Sequence, residues 1–232
     1  MLIEDSQEKL AHIAMKNLRS YPHFMARPLS LCFAFEKAHT QFIAASILEL
    51  GLTLDSALVT PSEPLLSNIR LQWWLDTFQS SKSKSVPLVK CLKDGFIYYP
   101  ELREIIIKLI KKWQDINRNK NLNSRFAWDL LWRLIGEMLS VDPEKAVMVG
   151  QFVMQRDPTV NSDYIKKNLS SLQNGLKLSR TSQCIMSRWL YLLLCLGFYR
   201  RKRNIITEQN PNSPLLGWHI LLWRAGVSPR LN

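Results

Sequence analysis

Glycine is scarce in this chain, 8 among 232 residues, where proteins usually carry about 7 %. A sandwich or barrel needs a tight turn every ~8–12 residues, and so few glycines argue against either. Cysteine is sparse as well. Cys32, Cys91, Cys184 and Cys195 lie far apart among apolar neighbours with no C-x-x-C. That excludes a disulfide framework and a structural zinc site, and suits buried thiols in a reducing compartment. The apolar run Trp189–Tyr199 covers 11 residues, whereas a membrane-spanning helix needs about 20. Arg188 stops its extension upstream, and Arg200, Arg201, Lys202 and Arg203 stop it downstream. The N-terminal segment lacks the basic start and apolar stretch of a secretory signal, so the expected location is the cytoplasm. His12, His23, His39 and His219 form no HExxH pair, and GxGxxG, P-loop and GxSxG patterns are all missing. Nucleotide and nucleophile chemistry therefore have no local signature.

What is present is apolar material and positive charge. Hydrophobic residues make up 47 %, with 8 Trp and 9 Phe, enough for a packed interior. Lysine and arginine outnumber acids 31 to 19, a formal charge of +12, which favours anionic partners. Arg200, Arg201, Lys202 and Arg203 are the candidates for contact with anionic headgroups, at roughly 1 kcal/mol per close cation. A buried bundle helix whose basic C-terminal end suits the helix dipole is the other reading of that region. Arg70, Trp73 and Trp74 would allow base stacking, but aromatics at helical spacing point first to a core, so nucleic acid is the weakest fit.

Periodicity predicts an all-α chain with one domain over residues 1–232. Asp5 and Glu8 resemble a capping box opening a helix to about Leu18, with Leu10, Ile13, Ala14 and Leu18 on one face. A second helix is expected from about Leu29 to Leu50, closed or broken at Gly51. Pro64, capped by Ser62 or Glu63, starts the next, with Leu65, Leu66, Ile69 and Trp73 as an apolar stripe and Arg70 over the Trp74 indole. Further helices are expected over Pro87–Ile97 and from Pro100 to about Asn117. In the second of these, Ile105, Ile106, Leu109, Ile110 and Trp113 face inward while Lys108, Lys111 and Lys112 stay solvated. Arg125–Ser140 is rich in helix formers and places Asp129 and Arg133 for an i,i+4 ion pair. Pro143 opens another helix that ends near Asp157–Pro158. The segments 185–204 and 214–226 are the last helical candidates.

The run SEPLLSNIRLQWWLD (62–76) resembles the SEP-x-x-G-x-IRLQWWRD segment of the squalene/phytoene synthase family. The branch it most resembles is the divergent one of alphaproteobacteria, found in mitochondria as a respiratory complex I assembly factor. FAFEKAHTQFIAA (33–45) is similar to that family's FAP-x-EKR helix start. FAWDLLWRLIGEMLSVDPEKA (126–146) and PLLGWHILLWRAG (214–226) resemble later family segments in the same order. The resemblance implies a single helical bundle of isoprenoid-synthase type around a central cavity, shortened here in its second half. It makes Arg70, Gln72, Trp73, Trp74 and Asp76 family-motif residues, either structural or cavity-lining.

Active members of the family join two prenyl diphosphates, holding Mg²⁺ on paired aspartates four residues apart on facing helices, where hard Mg²⁺ finds carboxylate oxygens on one helix face. Here no two of the nine aspartates are four apart, and Glu4/Glu8 is the only acidic pair at that spacing. Where the first motif is expected, SILELGLTLD (46–55) offers Glu49 and Asp55. Where the second is expected, Asp157 stands beside Pro158. The expectation is a non-catalytic member with no cofactor, binding an anionic membrane surface (peripherally, at the inner membrane), a prenyl lipid or a protein partner. The alternative is a working prenyl-diphosphate transferase with atypical Mg²⁺ ligands drawn from Glu49, Asp55 and Asp129.

Overall fold

A computed structural model describes residues 2–60, 63–80, 86–119, 124–154, 189–190, 192–194 and 196–197. Among the described residues every regular element is helical, as the glycine-poor sequence predicts. The expectations for Arg200, Arg201, Lys202, Arg203 and Asp157, and for segment 214–226, lie outside them.

Proline marks three helix starts. α4 (Pro64–Gln79), α5 (Pro87–Gly95) and α8 (Pro143–Met154) each begin on one, where its fixed φ suits the first turn and its missing N–H is no loss. Asp142 caps α8, its Oδ1 accepting from the backbone N–H groups of Glu144 (3.0 Å) and Lys145 (3.4 Å). Ahead of it, α7 (Arg125–Met138) closes through Val141 N–H to the Gly136 carbonyl and Ser140 N–H to the Glu137 carbonyl. Ser140 sits there at φ 54°, the left-handed position of this closure. Asp142→Ala is expected to cost about 1 kcal/mol, read as a lowered urea midpoint at unchanged m-value.

α1 (Leu2–Ser20) starts before Asp5, so the acids Glu4 and Asp5 act in its first turn, where they favour the dipole, rather than as a capping box. Its buried face carries Leu10, Ala11, Ala14, Met15 and Leu18, while Ile13 is 37 % exposed, contrary to the expected stripe. The helix expected over 29–50 is two helices, α2 (Ala26–Phe33) and α3 (Ala38–Val59). The break at residues 34–37 is held by Gln41, whose Nε2 donates to the carbonyls of Ala34 and Glu36, both at 3.0 Å. Gly51 neither caps nor breaks a helix. It lies inside α3, where a Cβ would overlap the Leu131 side chain and press on the Trp128 indole at 3.2 Å. Its role is to let α7 approach α3.

α3 is the axis of the fold. α1, α2, α4, α5, α6 (Leu102–Arg118) and α7 all pack on it, so it is apolar nearly all round, as a helix with no solvent face must be. By length, and by the mean hydropathy of 1.7 over an 18-residue stretch of its 22 residues, it could cross a membrane, but 72 % of that stretch is buried inside the protein. Beyond α8, the helical residues Trp189, Leu190, Leu192, Leu193, Leu194 and Leu196 are also buried. Trp189 stacks on Phe33 of α2 at 5.3 Å. These described residues of the apolar run contribute core, while its basic end lies outside them.

Candidate functional site

Arg70, Gln72, Trp73, Trp74 and Asp76 all fall on α4, which carries two apolar faces. Leu71, Trp74, Leu75 and Phe78 form the buried one. Leu65, Leu66, Ile69 and Trp73, expected as the inward stripe, are instead 65, 44, 57 and 36 % exposed. The reason is the company each face keeps. Trp74 stacks on Phe78 (centroids 6.2 Å, planes 19° apart) and meets the Trp73 edge at 5.0 Å. Ser67 Oγ reaches the Leu58 carbonyl of α3 at 3.5 Å.

Polar pairs fix α4 against α6. Gln114 Nε2 donates to Gln72 Oε1 (2.9 Å), and Asn117 Nδ2 donates to Asn68 Oδ1 (2.8 Å). Gln72 passes the chain on, donating to Asp76 Oδ1 at 2.7 Å. The last carbonyls of α4 are taken up by cations: Arg103 Nη2 on Gln79 O (3.0 Å) and Lys93 Nζ on Ser80 O (2.9 Å), which also suits the helix dipole. Arg70 is exposed, and the ring partners of Trp74 are Phe78 and Trp73, not the expected guanidinium. Burial, not an Arg–Trp stack, holds this indole.

The suspected carboxylates meet different surroundings. Glu49 is 7 % exposed in α3, with the Cys91 thiol and Ser46 hydroxyl of the α3/α5 seam close by. No hydrogen bond reaches its Oε2, and burial raises its pKa to about 7. Burial, with the Glu49 and Asp94 carboxylates adding to it and Ser46 opposing, pushes the Cys91 thiol up to about 12. A thiol so rarely ionised is a packing group rather than a nucleophile. Asp55 is partly buried on the same helix.

Asp129, on α7, accepts from Gln151 Nε2 at 2.7 Å, and Gln151 Oε1 accepts from Arg125 at 3.0 Å. Burial raises the Asp129 pKa, with Gln151, Arg125 and Arg133 pulling the other way. The expected Asp129–Arg133 ion pair is not its main link, since Arg133 bonds Glu144 of α8. The partner was set by the α7–α8 packing, which helical spacing alone does not encode. Asp129 borders an open groove of about 810 Å³ between α6 and α7. Ile107, Phe126 and Leu130 line it, with Lys108, Lys111 and Lys112 along one side.

Among the described residues no three His, Cys, Asp or Glu side chains come together as a metal-binding group. The exposed α4 ridge is the feature that sequence reasoning mistook for core. A signal was there: the helix is apolar on both sides, so one side had to be left outside the core. Comparisons with protein families, curated proteins and solved structures find no match to this chain.

Proposed function

We propose that this chain is a non-catalytic helical protein of squalene/phytoene synthase ancestry, an isoprenoid-synthase-type bundle that works by binding at an anionic membrane surface, where a prenyl lipid or an assembly partner is its cargo. The observation that carries this reading is the state of Glu49. It stands where the resemblance puts the first Mg²⁺-binding motif. Burial raises its pKa to about 7, which favours the neutral form over the charged one that Mg²⁺ needs, and among the described residues no three His, Cys, Asp or Glu side chains gather into a metal-binding group. Ionising a diphosphate needs several charged oxygens around Mg²⁺. Asp129, committed to Gln151 in a different groove, does not supply them. The net charge of +12 supports attraction to acidic surfaces.

The test has two parts. Purified protein given farnesyl or geranylgeranyl diphosphate with Mg²⁺ should release no diphosphate, and release would overturn the non-catalytic reading. It should co-sediment with anionic vesicles and come off as salt rises. Failure to bind at low salt would remove the membrane.

A further inference from the structure

The outer face of α4 is a ridge. Leu65, Leu66, Ile69 and Trp73 run along roughly 12 Å of helix, the first three exposed and Trp73 partly so, its ring edge against Trp74. Single exposed leucines are ordinary on protein surfaces, whereas four large apolar side chains in line are the mark of a contact surface. Their setting says what they contact. Arg70 is exposed on the same helix. On α6, held beside α4 through Gln72–Gln114 and Asn68–Asn117, Lys111 and Arg118 are exposed about one turn either side of Gln114. Three carboxylates are near as well: Glu63 at the N-cap of α4, Asp115 on α6, and Asp76, the last bonded by Gln72.

An apolar ridge with an indole and bordering cations has the chemistry of a helix lying in a lipid interface: aliphatic groups at the acyl boundary, the indole at headgroup depth, cations on phosphate. A second copy of this chain would bring the same cations and another +12 against the ridge, whereas an anionic bilayer brings the opposite charge. We infer that the α4 ridge, with Arg70, Lys111 and Arg118, is the face that sits on anionic phospholipid. This rests on the membrane-binding reading above and assigns it a surface.

The experiment compares the full chain with two variants on phosphatidylcholine vesicles with and without phosphatidylserine. One variant carries Leu65→Ser, Ile69→Ser and Trp73→Ser; the other carries Arg70→Gln, Lys111→Gln and Arg118→Gln. All six positions are on or near solvent, and circular dichroism checks that each variant folds. The ridge variant is expected to partition at least about tenfold less strongly, and the charge variant to lose its preference for phosphatidylserine. Trp73→Phe, which keeps a ring at that position, should lose the fluorescence quenching produced by brominated acyl chains. Wild-type binding left unchanged in both folded variants would overturn the assignment of this face while leaving membrane binding intact. No wild-type binding to any vesicle would overturn the membrane reading itself. A concentration-dependent wild-type dimer abolished in the ridge variant would give the face to a second copy and overturn the lipid assignment.

Discussion

Glu49→Gln is expected to stabilise the protein by about 3 kcal/mol at about pH 8 and by almost nothing at about pH 4. The carboxyl titrates near 4.5 when unfolded and near 7 in the fold. Between those values the folded state keeps a proton that the unfolded state has released. Wild-type stability from this group is therefore greatest below about pH 4.5, falls as pH rises, and levels off above about 7. Glutamine resembles the protonated acid and never ionises, so it avoids the loss. Urea midpoints of the two proteins across that range measure the difference directly, with the other carboxylates cancelling between them. Equal stability at the alkaline end would mean that Glu49 is ionised and satisfied in the fold, and the non-catalytic proposal would lose its main support.

Trp74→Ala should cost about 3–5 kcal/mol and Trp73→Ala only about 1 kcal/mol, although the two are neighbours in the chain. One residue is about 100° around a helix, enough to carry Trp74 into the contact with Phe78 and leave Trp73 on the outer ridge. Thermal midpoints of the two variants decide the rotation of α4. The reverse order would put Leu65, Leu66 and Ile69 in the core and remove the surface assigned above.

The pair also shows what could be read from the sequence and what could not. Helix starts were legible where a proline acts within its own turn, as at Pro64, Pro87 and Pro143, but not at Asp5, which lies inside α1. Inward positions were legible in α6, where Lys108 and Lys111 alternate with Ile106, Leu109 and Ile110 and leave one choice of face. α4 offered two apolar faces, and only the partners Gln114, Asn117 and Leu58, 9 to 49 residues away along the chain, select between them. The break between α2 and α3 depends in the same way on the reach of Gln41 back to Ala34 and Glu36. For the site, residue identity was informative and geometry was not. Glu49, Asp55 and Asp129 could be singled out as carboxylates, but burial beside Cys91 and the bond from Gln151 belong to the packed state.

The central position of α3 has a consequence for how the chain is made. Its last residue is Val59, and the helices that cover its remaining faces run on to Met138. At ordinary synthesis rates the ribosome needs on the order of ten seconds to deliver them. For that interval the nascent chain presents a 22-residue helix with an 18-residue stretch of mean hydropathy 1.7, which resembles a membrane span to anything that inspects emerging polypeptides. At its start only α1 and α2 are available to shield it, and α4, α5 and α6 follow one by one. The early chain thus carries its most apolar helix incompletely covered until α7 closes over Gly51.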